Sequence, residues 1–122
     1  MYEPPKRRKL TKAERQTVYD KTHGHCAYCG CEITMQQMQV DHVQALRCCG
    51  KDEIDNMLPA CRSCNHYKST LGIEDFRKAL ERQPTVLEKN NVTYQIAVRY
   101  GLVIPNPKPI VFYFEKEREQ NG

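Results

Sequence analysis

Two stretches decide the reading of this chain: His25-Cys26-Ala27-Tyr28-Cys29-Gly30, and Asn56-Met57-Leu58-Pro59-Ala60-Cys61-Arg62-Ser63-Cys64-Asn65. Each contains a Cys-x-x-Cys pair, with residues 30–60 between them. Two intervening residues let both sulfurs of a pair reach one ion across a tight turn, and two such turns complete a tetrahedron. Other uses of the spacing fit less well. A c-type haem site needs His after the second cysteine, where Gly30 and Asn65 stand. A zinc deaminase needs His-x-Glu, which no histidine here provides. A thioredoxin-like pair needs a βαβ pattern, which is absent. Cys26, Cys29, Cys61 and Cys64 are therefore expected to hold a zinc ion. Four thiolates leave it no open position, so its role is structural. Cys31 is an alternative to Cys29 as ligand, and Cys48 and Cys49 read by default as small apolar fillers.

The rest of the composition agrees with metal rather than disulfides. The 122 residues, 39% hydrophobic and 28% charged, describe one soluble globular domain. No apolar run approaches the ~18 residues of a membrane span. The opening MYEPPKRRKL is basic and lacks the apolar core of a secretory signal, so a cytoplasmic, reducing location is expected. The net charge of +4 is mild, but Lys6, Arg7, Arg8, Lys9, Lys12 and Arg15 cluster at the amino terminus. Such an arm suits a phosphate backbone, and by charge alone it reads equally well as a solvated tail.

Outward from the cysteines, Thr11 and Glu14 form a capping-box pattern that predicts a helix from Thr11 to Thr22. A strand is expected over Met38 to His42, a loop over 44–55, a short extended piece over 56–60, and a helical turn from Asn65 to Thr70. Phe76 and Leu80 share one face of a helix over 74–82. Pro84 should break that helix. Thr85 and Glu88 suggest a second capping box, opening a helix to Tyr100 that Gly101 caps. Residues 110–115, IVFYFE, predict a late strand, and the charged tail beyond it should fray. Residues 1–10 form a basic flexible arm, and 11–118 one domain with its core at 24–72 and a scaffold at 73–118.

Between the two cysteine pairs lies Asp41-His42, and after the second come Asn65 and Lys68. This order, with HCAYCG, VDHV and NMLPACRSCN, resembles the zinc-braced branch of the HNH, or ββα-metal, endonuclease family over His25 to Lys68. The resemblance implies an α+β fold: a small single domain with a ββα-metal nuclease core, four-cysteine zinc knuckles and flanking helices. It implies His42 as general base and Asp41 and Asn65 as ligands of a catalytic divalent ion. Asn56 would hold the loop that aims His42. Mg2+ suits two hard oxygen ligands, and Mn2+ should also serve. The implied reaction is hydrolysis of phosphodiester bonds in nucleic acid, by expectation double-stranded DNA. Lys68, His66 and Arg62 are expected to contact substrate, with Arg47, Lys51, Arg77 and Lys78 as further phosphate contacts. The loop VQALRCCG departs from the family, with no proline soon after the Asp-His pair and a single glycine. Two other readings stay open. One is a non-catalytic, zinc-dependent nucleic-acid-binding module; the other is a structural zinc domain in a phage or mobile-element assembly. A homodimer is also open.

Overall fold

The computed structural model describes residues 2–4 and 6–121; Met1 and Pro5 of the expected arm and Gly122 of the tail lie outside them. The architecture is α+β, as the sequence predicts. In chain order it comprises α1 (Lys12–Asp20), β1 (Gln39–His42), β2 (Met57–Ala60), α2 (Arg62–Lys68), α3 (Ile73–Glu81), α4 (Gln83–Asn90), α5 (Val92–Arg99) and α6 (Tyr113–Asn121). Among the described residues, no helix is long and apolar enough to cross a membrane. Contacts divide the chain into two compact units, one of residues 1–73 with 111–122 and the other of residues 74–110.

The first unit is built around a single pair of strands. β1 and β2 run antiparallel, with Val40 opposite Pro59, Asp41 opposite Leu58 and His42 opposite Met57. Pro59 has no amide to give to a ladder, and its carbonyl instead accepts from the Ala27 amide at 2.8 Å, tying the first cysteine turn to β2. Val18, Ile33, Met38, Val40 and Met57 form the core, with Leu10, Tyr19 and Ile54 packed against it. α1 begins with the predicted capping box. Thr11 accepts from the Glu14 amide, and Glu14 reaches back to the Thr11 amide. Just past its end, Lys21 Nζ donates to the carbonyls of Ile54 at 2.6 Å and Met57 at 2.7 Å, which pins the entry to β2.

Residues 110–115 are not a strand. Tyr113 opens α6, and its first amides are satisfied in another way: Phe112 N–H donates to Glu115 Oε1, and Tyr113 and Phe114 donate to the carbonyls of Tyr28 and Ala27. Phe112 and Phe114 both meet the Tyr28 ring edge-on rather than alternating across a sheet. The aromatic run is thus a helix entry docked on the first knuckle, and the helix continues through the stretch expected to fray.

In the second unit the expected helix over 85–100 is two helices. Asn91 is extended, with φ −123°, and its side chain accepts from the Tyr94 amide at 2.8 Å, so it caps α5 and ends α4. α4 starts at Gln83, ahead of the expected Thr85 box. Pro84 lies in its first turn, where a missing amide costs no helical hydrogen bond. Gly101 closes α5 with φ +71°, as the sequence predicts. Arg77, expected to meet phosphate, is held within this unit by Glu74 at 2.9 Å and the Ile110 carbonyl at 2.6 Å.

Candidate active site

The four knuckle cysteines come together. Their sulfurs all lie within 4.8 Å of one another, and Cys29 Sγ is 3.9 Å from Cys61 Sγ. Sulfurs around a tetrahedral zinc ion at ~2.3 Å stand about 3.8 Å apart, so the set fits such an ion. The distance is far beyond a disulfide bond, and all seven cysteines are free. Cys61 sits at the N-cap of α2, where its sulfur accepts from the Cys64 amide at 3.4 Å. The buried Cys26 thiol is pulled down to about 4, first by a hydrogen bond from Cys64 and further by the amides of Cys61, Cys29 and Tyr28. Those donors favour the thiolate that a metal needs. Cys31 stands outside the four-sulfur set.

Beside this cluster, β1 delivers Asp41 and His42. Asp41 is buried, and its Oδ2 accepts from the Tyr28 hydroxyl and lies 3.1 Å from Lys68 Nζ. Burial raises its carboxyl above the usual range, against the opposing pull of Tyr28 and Lys68. His42 turns Nε2 toward Asp52 Oδ1 at 2.9 Å. Among the described residues no buried side-chain nitrogen or oxygen lacks a partner. Asp41 Oδ1 and His42 Nδ1, which make no hydrogen bond, therefore reach solvent.

The loop between the strands is shaped by Asn56. Its Oδ1 accepts from the Gln44 amide at 2.9 Å, and its Nδ2 donates to the carbonyls of Gln44 at 2.9 Å and Lys51 at 2.8 Å. One side chain thus closes residues 44–51 into a ring. The loop has no proline soon after the Asp-His pair and a single glycine, and it turns through Cys49 at φ +70° and Gly50. A Cβ on Gly50 would fall 1.8 Å from the Gln44 carbonyl oxygen, so only glycine fits there.

A pocket of about 380 Å³ collects Asp41, His42, Asn65 and His66, together with Arg7, Arg47, Ser69 and Thr70. Both Asn65 and its neighbour His66 face it, although successive helical residues point apart. The larger pocket, about 690 Å³, lies around Thr22, Val43, Asn56 and Phe114, and none of Asp41, His42 and Asn65 lines it. The smaller pocket is the one that brings Asp41, His42 and Asn65 together. Asp41 Oδ1 and the Asn65 amide are hard donors of the kind a divalent cation takes.

Two expected substrate contacts lie elsewhere. Lys68 has none of its surface exposed; its ammonium is used on Asp41 and on the His42 carbonyl at 3.2 Å, which leaves it unable to reach a phosphate. Arg62 is exposed but lines a separate depression with Cys31, Glu32 and Gln39. The sequence reading also missed two residues. Tyr28 is hidden as a spacer between cysteines, and Asp52 is one acid among several in KDEID, with no spacing to mark it.

These features define a class: a small α+β protein in which a four-cysteine cluster braces a strand–loop–strand–helix unit presenting Asp-His and Asn to one pocket. Residues 26–70 match the family model described as HNH endonuclease. No curated protein matches the chain. The family match implies nuclease-type chemistry for this segment.

Proposed function

We propose that the chain is a metal-dependent endonuclease that hydrolyses phosphodiester bonds in double-stranded DNA, with His42 as general base and zinc in the cysteine cluster. The observation that carries this reading is the convergence of three polar groups on one pocket. Asp41, His42 and Asn65 all line it, and among the described residues Asp41 Oδ1, His42 Nδ1 and the Asn65 side chain have no hydrogen-bond partner. Arg7 and Arg47 at its edge supply positive charge for a phosphate.

His42 Nδ1 takes a proton from water as the water oxygen bonds to phosphorus. The P–O3′ bond breaks, and the departing 3′ oxygen takes a proton from solvent, leaving 5′-phosphate and 3′-hydroxyl ends. Asp41 and Asn65 would hold a divalent cation, Mg2+ or Mn2+, which when bound offsets the charge growing on the phosphate and leaving oxygens. Asn56 keeps the loop closed around the base, and Lys68 holds Asp41 in place from below.

Incubation with supercoiled plasmid and Mg2+ tests the reading. His42→Ala should lose about 10²- to 10⁴-fold in cleavage rate while retaining its zinc. A variant that cuts as fast as the parent rules out His42 as base. DNA binding by a parent that cuts under no divalent ion would favour a non-catalytic binding module, a reading supported by the neutralising contact of Lys68 with Asp41.

A further inference from the structure

Resting on the reading of His42 as base, we propose that Asp52 is its positioning residue, fixing the imidazole as the Nε2–H tautomer with the Nδ1 lone pair turned to the pocket. The pair is nearly enclosed, with 8% of the His42 side chain and 11% of the Asp52 side chain exposed, and Nε2 is 2.9 Å from Oδ1. A carboxylate only accepts, so Nε2 must carry the hydrogen. A neutral ring then has its basic lone pair on Nδ1, the nitrogen with no hydrogen-bond partner among the described residues.

Asp52 is itself held from two sides. Its Oδ2 accepts from the Arg8 amide at 2.8 Å, and its carbonyl accepts from Arg8 Nε at 3.3 Å. The preceding residue, Lys51, is tied through its carbonyl to Asn56. Burial opposes ionisation of Asp52, but the Arg8 amide and the His42 ring outweigh it and hold the carboxyl below its ordinary value. The amino-terminal arm and the Asn56-closed loop thus converge on one carboxylate. That carboxylate orients the ring and stabilises the imidazolium formed when Nδ1 takes the proton.

The test reads the ring itself and the reaction separately. Nitrogen-15 spectra of the zinc-loaded chain at about pH 8, where an ordinary imidazole is neutral, should show His42 as the Nε2–H tautomer. The His42 signals are those lost in His42→Gln. In Asp52→Ala the preference should give way to a mixture. In plasmid cleavage Asp52→Ala should lose about 10- to 100-fold in kcat with KM unchanged, the size expected on losing a supporting partner of a site residue. An Nδ1–H ring in the parent overturns the proposal. So does a folded Asp52→Ala that keeps the parent's tautomer, or that turns over within twofold of an active parent. The spectra need no substrate, so a parent that never cuts sinks the nuclease reading while the tautomer still decides this one.

Discussion

Lys68 Nζ lies 3.1 Å from Asp41 Oδ2 with none of the lysine side chain exposed, so the carboxylate at the heart of the site is balanced from within the protein. Removing one partner of a buried pair leaves the other charge uncompensated, at a cost of about 3–5 kcal/mol. Lys68→Met should lose that much in urea denaturation, and adding Asp41→Asn should recover most of it. Burial already holds the Asp41 carboxyl above its ordinary value, so the fold favours its protonated form. Lys68 pulls this carboxyl down, so in Lys68→Met it titrates higher still; the penalty is full above the variant's value and lifts as pH falls through it. It should be measured as the difference from the parent, so that acid lability of the cysteine cluster cancels. A Lys68→Met chain as stable as the parent at neutral pH would mean that Asp41 is not charged in the fold.

The cysteine cluster makes a stoichiometric prediction. Four sulfurs mutually within 4.8 Å should bind one zinc per chain, measured by elemental analysis. Cobalt in its place should give the absorption bands of tetrahedral thiolate ligation. Cys64→Ser should lose the metal and melt early, because Cys64 also lies in the first turn of α2, which carries Asn65. Cys31→Ser should keep it. Loss of the metal in the Cys31 variant would place that sulfur among the ligands instead.

At the other end of the fold, the Thr11–Glu14 box sets the start of α1. Thr11→Ala should cost about 1 kcal/mol by thermal or chemical unfolding. The Glu14 carboxyl is held below its ordinary 4.5, first by the Thr11 amide and then by Arg8. A depressed carboxyl adds stability that is present above its unfolded value and lost as pH falls through its folded one. Glu14→Gln should therefore flatten the stability profile below about pH 4.5 and change its shape little above it. An unchanged acid limb in Glu14→Gln would contradict the box.

What was legible in the sequence followed from local chemistry. The knuckle spacing, the Thr11 box, the Asp-His strand and Gly101 each carry their geometry in a few neighbouring residues, and the structure has them where that chemistry requires. The errors came where a distant partner decides. The pattern IVFYFE alternates well enough for a strand, but the carbonyls of Ala27 and Tyr28 take its amides and make it a helix start. Lys68 looks like a surface cation until Asp41, far along the chain, is found against it. Asp52 acts through a contact ten residues from His42, across a loop whose path no local pattern specifies.

That loop supplies the last prediction. Asn56 makes three hydrogen bonds, two to Gln44 and one to Lys51, and no other side chain could satisfy all three at once except through the same planar amide of donor and acceptor. Asn56→Ala should cost about 1–3 kcal/mol, since backbone groups of the loop lose their partner but can turn to water. The effect on cleavage should be out of proportion. Lys51 precedes Asp52, and a loop that shifts by an ångström carries the Asp52 carboxylate away from His42, a displacement that can reduce turnover by about 10². Asn56→Asp separates the two effects: it keeps the acceptor for the Gln44 amide but faces the carbonyls of Gln44 and Lys51 with a carboxylate, so it should be as inactive as the alanine variant. Plasmid cleavage rates, read beside denaturation midpoints for both variants, check this. A stable, folded Asn56→Ala that cuts at the parental rate would show that the loop holds its shape without the amide and that His42 owes its aim to something else.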